Sequence, residues 1–229
     1  MKSILFDLDG TLIDEDYALC QGLKELTIHY PALIHSYNFE DLVVTWRFIT
    51  ESSFKKYLQG EFDLYTFRRT RIKKLFDHVD IKINDSNLMQ IFDLYMNAYE
   101  RNWRLFPDVL PFLKGLNNYR LAILSNGRSA QQLLKVKSTG LEPYFEAVLC
   151  PEDVGYAKPS TQAFLCACEI LNMTPSQCIY IGDSFDNDVI GSASAGMQPI
   201  FLNRVKSSLL KNQGIWEAAS LNELRSSFL

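Results

Sequence analysis

Short apolar runs that end in polar residues, with helical patterns between them, constrain the fold of this chain most strongly. The runs are 3–7, 120–125, 145–150 and 178–182, with a fifth candidate at 198–202. Runs of this length bounded by turn residues are typical of buried strands. Ahead of the fourth run, Pro159 is followed by apolar residues at helical spacing from Ala163 to Leu171. Because strands that alternate with helices pair in parallel, the sequence predicts an α/β fold whose core is a Rossmann-like parallel sheet.

Residues 15–105 differ in composition and predict a helical domain inserted into that core. The segment holds two of the 11 glycines and one of the eight prolines, yet 16 of the aromatic residues. Apolar side chains recur at the offsets of amphipathic helices in two stretches: Leu19, Leu23, Leu26 and Tyr30, then Leu88, Ile91, Phe92, Tyr95 and Tyr99. We predict about four helices in a small bundle over 15–105. The core is then 1–14 and 106–229, with 106–108 (Phe-Pro-Asp) as the return hinge.

Charge and cysteine content argue against several partners and locations. A net charge of −4 and a pI near 5.4 give no field that attracts a polyanion, so nucleic acid is not an expected partner. The five cysteines are odd in number and include no C-x-x-C pair, which is typical of reduced thiols in the cytosol. Asp7 and Asp9 interrupt the first apolar run, which is therefore neither a secretory signal nor a membrane span. We expect a cytoplasmic protein that binds no membrane.

Acids at the ends of two predicted strands indicate a metal site. Asp7 and Asp9 follow the first run, and Gly10 permits a turn that lets Asp9 approach a group attached to Asp7. Asp183 and Asp188 follow the fourth run. Neighbouring carboxylates on an apolar strand end cost folding free energy unless a cation or hydrogen bonds compensate them. Since Mg²⁺ is normally held by one or two carboxylates plus water and phosphate, Asp7 and Asp183 are its expected ligands.

Two further polar segments are suited to binding phosphate. Ser125, Asn126 and Gly127 follow the second run and offer a hydroxyl and turn amides. Lys158, which precedes a proline, places an ammonium at a helix start. Because the carboxyl ends of parallel strands share one edge of a sheet, all these segments are expected to meet there. All three histidines lie within 15–105, so histidine-based acid/base chemistry has no reagent in the predicted core.

The order of these segments resembles the haloacid dehalogenase superfamily, whose motifs look like D-x-D-G-T, a strand-end Ser or Thr, a Lys before Pro, and G-D-x-x-x-x-D. The resemblance runs from residue 4 to about residue 200. The helical insertion between the first two motifs is similar to the cap of that superfamily's first subclass. A looser similarity, to the house-cleaning pyrimidine 5′-nucleotidases, rests on 125–127, 151–159, Tyr57, Gly60-Glu61 and Arg71.

The resemblance implies a two-step mechanism. Asp7 is expected to attack phosphorus and form an aspartyl phosphate, while Asp9 protonates the leaving oxygen and then activates water. Mg²⁺ is expected to bind Asp7, the backbone carbonyl of Asp9, and Asp183. Asp188 is expected either to ligate the metal through water or to orient Lys158. One general acid supplies only about 10²–10⁴-fold of an acceleration that can reach about 10²¹-fold for phosphate monoesters, so these groups must act together.

The resemblance also implies which residues contact the substrate. Ser125, the amide of Asn126, and Lys158 are expected to hold the remaining phosphoryl oxygens. In the insertion, the basic run 68–74 is interpreted as a solvated helix face, with Arg71 as the exception that contacts substrate.

Several other polar and aromatic residues have two interpretations. Asp186 is expected to cap the helix that begins near residue 185, which leaves Asp188 as the functional acid of that segment. Trp46, Arg47 and Trp103 are candidates to stack on a base or sugar, although aromatic residues of a cap are more often part of its packing.

The sequence therefore predicts a Mg²⁺-dependent phosphatase for small phosphorylated metabolites, with nucleoside 5′-monophosphates favoured, as a monomer or homodimer. Sugar phosphates or phosphoglycolate as substrates, and phosphomutase activity, are the alternatives within the superfamily. A dehalogenase is disfavoured because Asp9, which protonates an alcohol leaving group, is present. The non-enzymatic alternatives are a signalling receiver domain, against which the large insertion argues, and a catalytically silent binding protein, against which the intact motifs argue.

Overall fold

The computed structural model describes residues 2–35, 38–204 and 215–228, the last three by their backbone alone. The chain divides into two compact units, one of Met1–Glu15 with Arg104–Leu229 and the other of Asp16–Trp103. The stretch 205–214 of the predicted core lies outside the described residues. The role of 15–105 as a cap stays a prediction.

A six-stranded sheet in the order β3-β2-β1-β4-β5-β6 forms the centre of the first unit. Its strands are β1 (Ser3–Phe6), β2 (Arg120–Leu124), β3 (Ala147–Leu149), β4 (Cys178–Gly182), β5 (Gln198–Leu202) and β6 (Trp216–Ala218). Every neighbouring pair is parallel. The predicted α/β fold with a Rossmann-like parallel sheet is confirmed, and β6 is a strand that the sequence did not predict.

The second unit consists of helices that bury one continuous apolar cluster. They are α1 (Glu15–His29), α2 (Phe39–Leu58), α3 (Leu64–His78) and α4 (Leu88–Arg101). The buried side chains of α1 and α4 include those expected from the helical offsets, except that Tyr30 lies just beyond α1 and is half-buried. None of the helices in the described part of the chain combines the length and the apolar character that a membrane span requires.

Helices of the first unit flank the sheet, and apolar clusters cover both of its faces. These helices are α5 (Val109–Leu113), α6 (Ser129–Ser138), α7 (Pro151–Val154), α8 (Thr161–Ile170), α9 (Gly191–Ser194) and α10 (Leu221–Phe228), with a π-helical turn at Phe185–Ile190. Alternate residues of β1 point to opposite faces, so Ile4 and Phe6 join one cluster while Leu5 joins the other. Burial on both faces explains why these strands appear as continuous apolar runs.

The strand order places a crevice at the carboxyl edge between β1 and β4. The chain runs from β1 outward in one direction through β2 and β3, and in the other through β4, β5 and β6. Ligands of open α/β sheets bind where the strand order reverses in this way. In the register of the sheet, Phe6 lies opposite both Ile123 and Ile181, so the residues that follow these strands emerge side by side.

Candidate active site

Three of the predicted acids meet at this edge. Asp7 follows β1, Asp183 follows β4, and Asp188 lies in the π-helical turn. One carboxylate oxygen from each lies within 4.8 Å of the other two. Asp7 and Asp188 are buried, with 8% and 1% of their surface exposed, and Asp183 is partly buried. The structure thus brings Asp7 into one small volume with Asp183 and Asp188, which lie more than 170 residues later in the sequence.

Lys158 lies against this cluster and donates all of its hydrogen bonds within the protein. Its Nζ lies 2.7 Å from Oδ1 of Asp7, 2.7 Å from Oδ1 of Asp188 and 2.8 Å from the hydroxyl of Tyr180. An ammonium has three N–H donors, so each is used. The Tyr180 hydroxyl in turn donates to the carbonyl of Leu124 at 2.7 Å. Asp188 and Tyr180 therefore orient the ammonium toward Asp7. Tyr180 was not among the predicted site residues.

The cluster carries more negative than positive charge, and burial is the main cause of the raised pKa values of Asp7 and Asp183. Burial raises the pKa of Asp7 well above its ordinary value, and the attraction of Lys158 only partly opposes this. Burial, with repulsion from Asp188, raises the pKa of Asp183 to about 7. Burial lowers the pKa of Lys158, but attraction by Asp188 and Asp7 outweighs it and leaves that pKa above its ordinary value. Three carboxylates face one ammonium, so the cluster offers oxygen ligands and an excess of negative charge. Both properties suit a hard divalent cation such as Mg²⁺.

The turn after β1 positions Asp183. Gly10 has a φ of +81°, and a Cβ at this position would overlap the Asp183 carboxylate. Thr11 is fully buried, and its hydroxyl donates to Oδ1 of Asp183 at 2.8 Å. The Gly-Thr pair of the first motif thus holds the acid of the last motif.

The side chain of Asp9 is held separately, by two residues of α6. Nζ of Lys135 lies 2.5 Å from Oδ1, and Nε2 of Gln132 lies 2.7 Å from Oδ2. Both donors are buried, with 2% and 1% exposed, whereas 20% of the Asp9 side chain is exposed. Neither Gln132 nor Lys135 was among the predicted site residues. The expected contact of the Asp9 carbonyl with a metal stays a prediction.

Ser125 and Asn126 lie beside these groups. The Ser125 hydroxyl oxygen accepts from Nε2 of Gln132 at 2.7 Å and from the backbone N–H of Gly127 at 3.3 Å. The Asn126 side chain makes two bonds to the backbone of Lys158, donating to its carbonyl at 2.8 Å and accepting from its N–H at 2.7 Å. Asn126 therefore ties the loop after β2 to the loop that carries the lysine.

One expectation about the fourth motif is wrong. The cap of the turn at Phe185–Ile190 is Ser184, whose hydroxyl oxygen accepts from the N–H of Asn187 at 3.2 Å, and not Asp186. Asp186 lies in the first turn and is exposed. The shorter hydroxyl side chain immediately before the turn reaches the free N–H groups, as N-cap residues do.

Arg71, the substrate contact expected from the insertion, is buried within the second unit. Only 7% of its surface is exposed, its guanidinium lies 4.5 Å from the ring centre of Trp46, and its Nε donates to Thr50 at 3.1 Å. Trp46 is itself fully buried, and the exposed Arg47 pairs with Asp16 at 2.7 Å. A contact between Arg71 and substrate stays a prediction.

Comparison with known proteins is consistent with this geometry. The family model "haloacid dehalogenase-like hydrolase" matches residues 1–196. The chain is 26% identical to the pyrimidine 5′-nucleotidase YjjG of Escherichia coli (strain K12), over 96% of this chain and 95% of that protein. It is 30% identical to the pyrimidine 5′-nucleotidase PynA of Streptococcus pneumoniae, over 88% and 84%. Among solved structures, a HAD-hydrolase, YfnB from Bacillus subtilis with bound magnesium, superposes with a TM-score of 0.82 at 23% identity, over 99% of this chain and 98% of that one.

Proposed function

Because this chain belongs to the haloacid dehalogenase-like hydrolases, we propose that it is a Mg²⁺-dependent 5′-nucleotidase that works through an aspartyl phosphate on Asp7. The chain is a phosphoric monoester hydrolase. The metal, the covalent intermediate and the nucleotide substrate are the parts of this assignment that we propose.

One observation carries the proposal: two carboxylates of the same motif are held in different environments. Asp7 lies in the buried acidic cluster against Lys158, while Asp9, two residues later, is partly exposed and bonded by α6. A nucleophile and an acid/base need such different surroundings. Lys158 and the proposed Mg²⁺ would favour the charged form of Asp7 against the effect of burial, whereas Asp9 must exchange protons with the leaving group and water.

In the first proposed step, a carboxylate oxygen of Asp7 attacks phosphorus and the bond from phosphorus to the ester oxygen breaks. Asp9 gives its proton to that oxygen, so that the leaving group departs as a neutral alcohol. Lys158 and the Ser125 hydroxyl supply donors to the charge that develops on the phosphoryl oxygens. The products of this step are the alcohol and Asp7 esterified to phosphate.

In the second step, the Asp9 carboxylate takes a proton from water, and the water oxygen attacks the phosphorus on Asp7. The bond from Asp7 to phosphorus breaks, which regenerates the Asp7 carboxylate and releases inorganic phosphate. Asp9 ends this step protonated, ready for the next substrate, so the protons balance over the cycle.

Asp7 and Asp183 would hold Mg²⁺, and Asp188 lies close enough to contribute directly or through water. The bound ion would neutralise the excess negative charge of the cluster and of the phosphoryl group. The match in donor type and the excess of carboxylates over ammonium support this part of the proposal.

The two pyrimidine 5′-nucleotidases support the choice of substrate, since this chain covers most of the length of both. We therefore expect pyrimidine nucleoside 5′-monophosphates to be hydrolysed better than purine nucleotides, sugar phosphates or phosphoglycolate. The distinguishing measurement is kcat/KM for release of inorganic phosphate across a panel of these monoesters.

Three measurements test the chemistry. Asp7→Asn should abolish phosphate release, and excess EDTA should do the same to the wild-type enzyme, with recovery on adding Mg²⁺. Asp186→Asn, an exposed acid of the same site region, is the matched control and should keep its activity. Rapid quenching followed by peptide mass spectrometry should find the phosphate adduct on Asp7. Full activity of the Asp7 variant, or an adduct on another residue, would refute the mechanism.

A further inference from the structure

We propose that Gln132 and Lys135 of α6 are positioning residues for the hydrolysis, which orient the acid/base Asp9 and the phosphate-binding hydroxyl of Ser125. This inference rests on the proposed function and adds two residues to its machinery. Neither residue belongs to the four sequence motifs.

The Asp9 carboxylate is held by one donor on each oxygen. Lys135 donates to Oδ1 at 2.5 Å and Gln132 to Oδ2 at 2.7 Å. Two donors from one helix, one turn apart, fix both the position and the plane of the carboxylate. Proton transfer from Asp9 requires its O–H to point at the ester oxygen of the substrate. Holding the carboxyl plane in one orientation therefore favours the reactive geometry.

Gln132 links Asp9 to Ser125 through a single amide nitrogen. The end of the Gln132 amide that faces Asp9 is Nε2, which is a hydrogen-bond donor and lies 2.7 Å from Oδ2. The same Nε2 donates to the Ser125 hydroxyl oxygen at 2.7 Å, and Gly127 donates to that oxygen as well. A hydroxyl has two acceptor sites and one hydrogen. With both acceptor sites used, Ser125 is left as a donor, which is the role needed to bind a phosphoryl oxygen.

The cost of this arrangement argues against a purely structural role. Lys135 is a buried charge, and Oε1 of Gln132 is buried with no hydrogen-bond partner among the described residues. Leu133 and Leu134 between them are about half exposed, with 53% and 47% of their surface accessible. Helix α6 thus buries polar side chains and exposes leucines, whereas a helix that only packs against a sheet buries its apolar face and exposes its polar one.

Gly127 provides the space for Gln132. A Cβ at this position would overlap the amide of Gln132, so any larger residue would displace it from Ser125 and Asp9. The need for space beside Gln132 therefore explains why glycine occupies position 127, in addition to any requirement of the turn.

The experiment compares Lys135→Met and Gln132→Leu with two control variants of the same helix, Lys137→Met and Gln131→Leu, whose side chains are exposed and half-buried. Each enzyme is assayed on the best nucleoside monophosphate and on p-nitrophenyl phosphate, whose leaving group departs as a stable anion. Thermal unfolding is measured for every variant to confirm that it is folded.

Lys135→Met should lower kcat/KM on the nucleotide about 10- to 100-fold, part of what a general acid supplies, and change kcat/KM on p-nitrophenyl phosphate by less than about 3-fold. We compare kcat/KM because it reports the first step and excludes hydrolysis of the intermediate, which needs Asp9 for both substrates. Gln132→Leu should also raise KM about 10-fold for both substrates, because Ser125 contacts the phosphate that they share. In an Asp9→Ala background, Lys135→Met should have no further effect on kcat. The control variants should match the wild type within about 2-fold.

Equal losses of kcat/KM on both substrates for Lys135→Met, or losses that multiply in the Asp9→Ala background, would overturn the inference while leaving the proposed function intact. The same conclusion would follow if Lys135→Met and Gln132→Leu behaved like their controls. A wild-type enzyme that hydrolyses neither monoester would overturn the proposed function and this inference with it.

Discussion

Replacing Asp183 by asparagine should stabilise the metal-free protein while removing its response to Mg²⁺. The carboxylate lies in an excess of negative charge, with burial and repulsion from Asp188 raising its pKa from 3.8 to about 7. Asparagine has nearly the same shape and keeps an oxygen that can accept from Thr11. The substitution therefore removes the charge with little change in packing.

The pKa fixes the size and the pH range of the effect. An acid whose pKa is raised by folding stabilises the folded state below its unfolded pKa, and this stabilisation is lost as the pH rises from about 4 to about 7. The difference between a pKa of 3.8 and one of about 7 corresponds to at most about 4 kcal/mol in the free energy of unfolding. Because Asp183 is only partly buried and solvent screens its charge, we expect Asp183→Asn to recover about 1–3 kcal/mol at pH values above 7.

The assay is thermal unfolding in EDTA at about pH 5 and about pH 8, repeated at pH 8 with excess Mg²⁺. For a chain of this size, 1 kcal/mol shifts Tm by about 2–4 °C. The variant should have a higher Tm than wild type in EDTA at pH 8, and this difference should be less than half as large at pH 5, which lies in the lower part of the titration range. Mg²⁺ should raise the Tm of wild type, because a ligand of the folded state stabilises it, and leave that of the variant almost unchanged.

Asp186→Asn is the control, since this neighbouring acid is exposed. Its Tm should follow that of wild type at both pH values. If Asp183→Asn is less stable than wild type in EDTA at pH 8, or if Mg²⁺ stabilises both proteins equally, the electrostatic account of the cluster is wrong.

Three further predictions follow from individual contacts. Tyr180→Phe removes the hydroxyl that accepts from Lys158 and donates to the Leu124 carbonyl. It should lower the free energy of unfolding, measured in urea, by about 1–3 kcal/mol, and an unchanged midpoint would show that these hydrogen bonds do not stabilise the fold. Burial raises the pKa of Cys150 to about 12, so iodoacetamide at about pH 8 should leave it unmodified in the folded protein, as peptide mapping would show. Phe76→Ala opens a cavity in the second unit at a side chain with 1% exposed and should cost about 3–5 kcal/mol by the same urea titration.

The sheet was largely predictable because its inner strands are buried on both faces. A strand of this kind must be apolar at every position, so the run 3–7 predicts β1 at Ser3–Phe6 to within one residue, and 145–150 contains β3 at Ala147–Leu149. β6 could not be found in this way. It is a three-residue edge strand, Trp216–Ala218, whose first two residues are exposed, so it leaves no apolar run in the sequence.

The acids of the candidate site were predictable for a related reason, whereas the residues that hold Asp9 were not. A carboxylate directly after an apolar run is placed by the strand itself, which fixes its location at the sheet edge. Gln132 and Lys135 lie on a helix, where polar residues are normally solvated, and the leucines between them give α6 the appearance of facing the other way. The sequence does contain one sign of these residues: two polar side chains flank two leucines on a helix that begins four residues after Ser125. That sign can be interpreted only when the sheet is known, because the sheet shows which face of the helix is buried.

Lys158 is expected to contact phosphate but is observed in contact with two acids, and its hydrogen bonds explain how both can hold. In this structure its three donors go to Asp7, Asp188 and Tyr180, which leaves none for a substrate oxygen. In the proposed reaction, Asp7 gives up its negative charge when it becomes an ester, and that charge then lies on the phosphoryl oxygens. The ammonium is drawn to the charge, so its bond to Asp7 is the one that passes to phosphate, while Asp188 and Tyr180 keep it in place. Burial would be unfavourable for an isolated ammonium. Here it keeps the Lys158 ammonium beside Asp7 and the phosphoryl group through both steps of the proposed reaction.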